Sequence, residues 1–98
     1  MIVIEKNKGE KIPYEVSGKK ICFDDDLQIN LQKRQDDSNV HIDICYDPNH
    51  ELQIGTNGAR AYVAEIDIPA KEYETTEDNE EVAVPLDMDE VKLSLWAI

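Results

Sequence analysis

The amino-acid sequence predicts an all-β fold: one small antiparallel sandwich or barrel, made of short strands and hairpins. Apolar and polar residues alternate in several short segments, which is typical of strands that bury one face. Turn-forming residues separate these segments at intervals of about 8 to 12 residues, and no segment repeats its apolar residues at helical spacing over three turns. The 98 residues suffice for one modest core, so a single domain over residues 1–98 is expected.

The first quarter of the chain contains one short predicted strand and one predicted hairpin. Ile2–Glu5 is apolar enough for a strand and is followed by a polar turn. Alternating residues over 12–16 and 20–23 predict the arms of a hairpin joined by a two-residue Ser-Gly turn. Pro13 places the first arm at a sheet edge, because proline cannot donate a hydrogen bond to a neighbouring strand.

The middle of the chain contains the clearest alternation. Segments 27–32 and 40–46 each predict a strand with one solvated face. The longest pattern runs over 60–69, after a turn at 55–58 whose Gly and Asn residues tolerate positive φ. Because the short apolar run 52–54 precedes this turn, we expect a hairpin in which 60–69 is the longer arm and the central strand.

The C-terminal third begins with acidic residues and ends with apolar ones. Residues 72–81 have the sequence EYETTEDNEE; like charges repel and little in this segment can be buried, so it predicts a mobile acidic loop. Residues 91–95 alternate again and predict a last strand that is tied into the sheet.

The charge of −12 is distributed unevenly. Residues 1–34 hold seven Lys and Arg against six Asp and Glu, whereas residues 35–98 hold three against sixteen. Such a field repels nucleic acid and anionic membranes and favours a basic protein or a cation. We therefore expect a protein partner or self-association, with no direct contact to nucleic acid or membrane.

The two cysteines, Cys22 and Cys45, are too few for a disulfide framework. Free thiols are favoured, and a bridge between adjacent strands is the alternative. The chain contains no signal-peptide core and no apolar run of membrane-spanning length. The expected location is the cytoplasm, or a virion.

Two groups of residues are candidate metal ligands. His41, Asp43 and Cys45 project from one face of the strand at 40–46, and imidazole, carboxylate and thiolate are zinc ligands. Adjacent side chains on one strand face lie about 7 Å apart, however, which disfavours a shared ion. A second candidate is an acidic turn: Asp24, Asp25 and Asp26. It lacks the spacing of an EF-hand loop, so a charged turn is favoured and no metal or cofactor is expected.

No pattern predicts catalysis. Neither cysteine lies at a predicted helix N-terminus or beside a cationic cluster that would lower its pKa. The glycines at 55–58 are not followed by the Lys and the helix of a phosphate-binding loop. The protein is therefore expected not to be an enzyme.

The last 38 residues, Ala61 to Ile98, carry one resemblance. The segment AYVAEIDIPAKEYE, an acidic spacer and the segment VPLDMDEVKLSLWAI follow one another. This arrangement resembles small proteins encoded in bacterial prophage clusters near tail genes. These proteins have no assigned activity, so the resemblance implies only a phage-derived structural or accessory role.

Three functions remain open. The first is a noncatalytic interaction or assembly domain that pairs with a partner through an edge strand and the C-terminal strand. The second is a nucleic-acid mimic whose carboxylates occupy the basic groove of a DNA- or RNA-binding enzyme, and the third is a cation-binding domain. The residues expected to contact a partner are acidic, with one aromatic: Glu74, Glu77, Asp78, Glu80, Glu81 and Trp96.

Overall fold

Ten β-strands dominate the computed structural model, which describes residues 1–98. In chain order they are β1 (Ile2–Glu5), β2 (Tyr14–Ser17), β3 (Lys20–Phe23), β4 (Leu27–Asn30), β5 (Val40–Tyr46), β6 (Leu52–Ile54), β7 (Ala61–Ile68), β8 (Tyr73–Thr75), β9 (Glu81–Ala83) and β10 (Lys92–Leu95). The helical elements are one turn, α1 (Leu31–Arg34), and a 3-10 turn at Met88–Glu90. The all-β prediction is confirmed.

The strands form three separate sheets. The largest has the order β1-β10-β7-β5-β6, the second has the order β2-β3-β4, and the third is the hairpin β8-β9. β1 is parallel to β10, whereas every other pair is antiparallel. The large sheet is therefore mixed rather than purely antiparallel, and no sheet closes into a barrel.

One hydrophobic core joins the two larger sheets. Ile21, Phe23 and Ile29 enter it from the second sheet, and Ile66 and Leu93 enter it from the large sheet. All five belong to strands whose apolar residues alternate with more polar ones, so one face of each sheet is buried and the other is solvated. The two larger sheets thus share a core as the sheets of a sandwich do.

The predicted strand at 27–32 ends two residues early. Asn30 caps a single helical turn, since its side-chain oxygen accepts a hydrogen bond from the Lys33 backbone N–H at 3.1 Å. Leu31 is fully buried in the core although it lies in α1. The apolar alternation that predicts a longer strand therefore reflects burial of Leu31 from a helical turn.

The prediction that 52–54 and 60–69 form a hairpin is wrong. β6 pairs with β5, and β7 pairs with the other edge of β5. The Asp47 carboxylate stabilises the turn between β5 and β6 by accepting the backbone N–H groups of Asn49 and Glu51, at 2.8 and 3.0 Å. The prediction that the longer arm is the central strand is confirmed, since β7 is the middle strand of the large sheet.

A β-bulge interrupts the pairing of β5 with β7. Ile44 lies opposite Ala64, whereas Cys45 lies opposite Tyr62, so Val63 is the extra residue. A bulge bends its strand and increases the local twist. Val63 is nevertheless fully buried. Its carbonyl oxygen accepts a hydrogen bond from the Trp96 backbone N–H at 3.0 Å, so the bulged residue also holds the residue that follows β10.

Residues 72–81, predicted as a loop, form most of a hairpin instead. Its register places Glu74 opposite Val82 and Thr75 opposite Glu81, so no two carboxylates lie directly opposite each other and cross-strand repulsion is reduced. The Thr76 N–H donates to the Glu80 carbonyl at 2.8 Å, and Asn79 takes a φ of 60° in the turn, a conformation that asparagine tolerates. Turn chemistry therefore outweighs repulsion between solvated charges.

The chain is longer than a compact domain of its size. Its radius of gyration is 15.3 Å and its extents are 53 × 24 × 21 Å, whereas about 13 Å is typical of 100 residues. Every residue of β8 and β9 is exposed, and these strands pair only with each other. The hairpin is therefore an arm that projects from the core.

Cys22 and Cys45 are both free. They lie on strands of different sheets, β3 and β5, so the adjacent-strand arrangement that the predicted alternative requires is absent. No helix of the chain has the length and apolar character required to cross a membrane.

Candidate functional site

The solvated face of the large sheet gathers four ionisable side chains where β5 and β7 pair. His41 lies opposite Asp67, and Asp43 lies opposite Glu65. All four alternate with residues that enter the core, so the strand period directs them outward together. Antiparallel pairing then brings side chains on opposite residues within contact distance. We call these four residues the His41 cluster.

The imidazole of His41 lies between carboxylates. Its Nδ1 is 2.6 Å from Asp67 Oδ1, and its Nε2 is 2.9 Å from Asp43 Oδ1. Glu65 Oε1 also lies 3.4 Å from Nε2. The cluster is half-buried, because the side chains of Asp43 and Glu65 are 23% and 20% exposed whereas that of His41 is 47% exposed.

Glu65 is itself held in place by an aromatic residue. The indole Nε1–H of Trp96 donates a hydrogen bond to Glu65 Oε2 at 2.7 Å, which leaves Oε1 directed at His41. The Trp96 ring packs against Tyr62, with ring centroids 6.1 Å apart. Trp96 therefore orients one carboxylate of the His41 cluster.

Both nitrogens of His41 require a proton or another cation. A neutral imidazole carries one N–H and cannot donate to carboxylates on both sides. The hydrogen bond to Asp67 raises the pKa of His41 above its ordinary value of 6.5; partial burial opposes this rise, and the hydrogen bond to Asp43 adds to it. The geometry accommodates an imidazolium, or a neutral ring with a metal ion at one nitrogen.

The negative charge of the cluster has no compensation from lysine or arginine. The only cations within 4.0 Å of any carboxylate in the chain are His41 itself and the N-terminal amine, which contacts Asp89 at 3.8 Å. Three carboxylates therefore share one imidazole.

Cys45, the third member of the predicted ligand set, does not join the cluster. The three side chains whose ligand atoms lie within 4.8 Å of one another are His41, Asp43 and Glu65. Cys45 is fully buried, and desolvation, with smaller contributions from Asp43 and Glu65, raises the pKa of its thiol. A protonated thiol is neither a metal ligand nor a nucleophile.

The cross-strand members Glu65 and Asp67 were absent from the predicted ligand set. The alternation in 60–69 does place both on the solvated face, which was a usable signal. The pairing of β7 with β5 could not be read from that pattern, and this pairing brings them to His41. The spacing of about 7 Å along one strand does not separate His41 from Asp43, because the two side chains lean together and bring Nε2 within 2.9 Å of Oδ1; Glu65 joins them from the neighbouring strand.

The acidic turn before β4 gathers no further ligands. Asp24 and Asp25 take positive φ values of 53° and 51°, and the backbone N–H groups of Asp24 and Asp26 donate to the Pro13 and Phe23 carbonyls. None of the three belongs to a group of potential metal ligands. The segment is a turn, and it lies outside the group formed by His41, Asp43 and Glu65.

The residues predicted to contact a partner fall in two places. Five of them lie on the projecting hairpin, at Glu74, Glu77, Asp78, Glu80 and Glu81. Trp96 instead follows β10 on the large sheet, beside Glu65. We call residues 73–83 the acidic arm; they carry these five carboxylates and no Lys or Arg.

The pH dependence of stability should report the charge of His41. In metal-free protein, the stability from the imidazolium is fully present below the unfolded-state pKa near 6.5 and is lost as pH rises through the higher folded pKa. We therefore expect His41→Gln to destabilise the protein more at pH 5.5 than at pH 8.5 in urea unfolding. A matched control is His50→Gln, whose ring stacks on Tyr46 with a centroid separation of 4.0 Å. A loss in His41→Gln that does not vary with pH would contradict the assignment.

Comparison with known proteins found no matching family model, no matching curated protein and no matching solved structure.

Proposed function

We propose that the chain is a noncatalytic protein-interaction domain that binds a partner through the acidic arm. The observation that carries this proposal is the arm itself: an ordered hairpin, exposed on every residue of both strands, that contributes nothing to the core. A surface element that does not stabilise the core is available for contact with another molecule.

The charge of the arm selects a basic protein surface as its partner. Five carboxylates lie within eleven residues, from Tyr73 to Ala83, and none of them forms an ion pair within the chain. Complementary charge accelerates encounter and suppresses wrong partners. Two copies of the arm would repel each other, so contact between arms does not support self-association.

Apolar residues on the arm add contact area. Tyr73 and Val82 are 49% and 46% exposed, and they lie on opposite faces of the hairpin, because Tyr73 pairs with Ala83 while Val82 pairs with Glu74. The Tyr73 hydroxyl donates to the Asp37 carboxylate, which ties the base of the arm to the body. A hairpin that is already formed loses less conformational entropy on binding than a disordered loop would.

The resemblance of residues 61–98 to prophage-encoded proteins supports an assembly or accessory role. It covers the acidic arm as well as β7 and β10. On this basis we infer that the partner is a basic subunit or assembly factor of a phage-derived structure, encountered in the cytoplasm or in the virion.

An arm-deletion variant tests the proposal. The Val84 N–H donates to the Glu72 carbonyl at 2.7 Å, so an Asn-Gly turn can join these residues in place of 73–83. We expect the variant to fold, since no residue of the arm belongs to the core, and to lose the partner retained by the tagged full-length protein. Direct binding of the purified partner should then weaken at least tenfold when the five carboxylates become amides, and weaken with salt.

A matched control neutralises Asp24, Asp25 and Asp26 to asparagine, which removes carboxylates outside the arm. Unchanged partner binding by the arm-deletion variant, with loss in this control, would overturn the proposal. Competition with DNA or RNA for the purified partner distinguishes a nucleic-acid-binding groove from an assembly interface. Displacement of the protein by nucleic acid would identify it as a nucleic-acid mimic, whereas no displacement would identify an assembly interface.

A further inference from the structure

We propose that His41, Asp43 and Glu65 bind one divalent transition-metal ion, with zinc as the best match, and that Asp67 and Trp96 orient two of these ligands. The site lies on the large sheet and uses no residue of the acidic arm, so it is independent of the proposed partner interaction.

The ligand atoms already have separations close to those that a tetrahedral ion imposes. Nitrogen and oxygen ligands lie about 2.0–2.2 Å from zinc, which places neighbouring ligand atoms roughly 3.3–3.6 Å apart. His41 Nε2 lies 3.4 Å from Glu65 Oε1 and 2.9 Å from Asp43 Oδ1, and all three atoms lie within 4.8 Å of one another. The His41–Glu65 separation thus already matches the spacing that zinc imposes, and the His41–Asp43 separation would have to lengthen by a few tenths of an ångström.

The orientation of two ligands is fixed by groups behind them. Asp67 accepts a hydrogen bond from His41 Nδ1 at 2.6 Å, which directs the other ring nitrogen towards Asp43 and Glu65. Trp96 donates to the distal oxygen of Glu65 at 2.7 Å. A carboxylate behind a histidine and a donor behind a carboxylate are the usual supports of metal ligands, because they hold the tautomer and the rotamer.

The charge of the cluster favours a divalent ion over a proton. Asp43, Glu65 and Asp67 carry three negative charges, with no Lys or Arg in ion-pair contact. An imidazolium leaves a net charge of −2, whereas a neutral imidazole with a divalent ion leaves −1. The half-buried position of Asp43 and Glu65 raises the cost of uncompensated charge.

The donor set selects the class of metal. Imidazole is a ligand for zinc and other borderline transition metals, and carboxylates complete such sites. Calcium prefers six to eight oxygen ligands and gains little from a nitrogen. His41 is 47% exposed, so a fourth position is open to water.

Zinc titration of the metal-free protein tests the site. The tests use a Cys22→Ser, Cys45→Ser background, which removes thiol ligands. At pH 7.5 we expect one zinc ion per chain by calorimetry and a rise in Tm with zinc concentration, because the ion binds the folded state alone. Calcium at the same concentration should leave Tm unchanged. Absence of zinc binding would overturn the proposal and leave the imidazolium as the sole cation of the cluster.

Ligand variants locate the ion. His41→Gln and Glu65→Gln should each abolish the zinc-dependent rise in Tm, whereas His50→Gln should retain it. Circular dichroism would verify that each variant folds. A full rise in His41→Gln would show that zinc binds elsewhere and would overturn the assignment.

Asp67 is a positioning residue, because it orients the His41 ring and does not bind the ion. Its role can be measured separately from that of the ligands. Asp67→Asn should weaken zinc binding about 10- to 100-fold and Asp67→Glu should restore part of it. In ¹⁵N NMR spectra of the zinc-bound protein, His41 should retain its proton on Nδ1 and carry the metal on Nε2. Zinc on Nδ1, or full affinity in Asp67→Asn, would contradict this role.

Discussion

Replacing Ile66 with alanine should lower the free energy of unfolding by about 2 to 5 kcal/mol. Ile66 is fully buried and lies on the central strand, opposite Ile42 on one side and Leu93 on the other. Truncation removes buried apolar volume and leaves a cavity that two flanking strands cannot both collapse into. Because small domains are stable by only about 5 to 15 kcal/mol, this single change removes a large fraction of the total, which urea unfolding at constant pH would measure.

A matched control for this effect is Ile54→Ala. Ile54 lies on the edge strand β6 and is 40% exposed, so its truncation should cost less than about 1 kcal/mol. Equal losses in the two variants would contradict the assignment of β7 as the centre of the core.

A proline at Ser94 should destabilise the protein by more than about 3 kcal/mol or prevent folding. β10 lies between β1 and β7, so every backbone N–H in it faces a neighbouring strand. Proline removes one of these donors and leaves a buried carbonyl without its partner, which adds a desolvation cost to the steric one. Thermal and urea unfolding would measure the loss.

The control for this substitution is a proline on an edge strand. The Asp24 N–H donates to the Pro13 carbonyl, and antiparallel pairs alternate between bonded and non-bonded residues. The N–H of Val16 in β2 therefore points away from β3, and Val16→Pro should cost clearly less than Ser94→Pro. A larger loss from Val16→Pro would contradict the strand order.

Local patterns predicted most of the strands. The alternation in 40–46 matches β5 residue for residue, and that in 60–69 contains β7. An extended backbone directs successive side chains to opposite faces, so alternation between apolar and polar residues is typical of a strand with one buried face. The same pattern misassigned Leu31, because a buried leucine can project from a helical turn as well as from a strand.

Pairing between strands could not be predicted in the same way. Residues 52–54 have an apolar pattern that suits either neighbour, and the Asp47 turn decides that they pair with β5. The loop prediction for the acidic segment 72–81 is wrong because repulsion between like charges depends on the register, which here keeps carboxylates from lying directly opposite each other. Register is set by turns and by packing across the sheet, neither of which appears in a local alternation pattern.

The candidate metal site likewise combines residues that one strand's pattern predicts with a residue that only strand pairing brings in. His41 and Asp43 were identified from one strand, whereas Glu65 became recognisable as a ligand only through the pairing of β5 with β7. Cys45 has the right chemistry and the right side of the strand, yet it lies beside the bulge at Val63 and is buried. The group of ligand atoms that lie within 4.8 Å of one another accordingly contains Glu65 in place of Cys45.

The parallel pairing of β1 with β10 joins segments that are far apart in the sequence. Ile2 lies opposite Lys92, so these partners are separated by 90 residues of sequence, and the closure entropy of that segment must be overcome before the pair forms. During synthesis, β1 leaves the ribosome first but has no partner until β10 follows. Its aliphatic residues Ile2, Val3 and Ile4 remain unpaired throughout that interval, when the nascent chain is most exposed to aggregation and to chaperone binding.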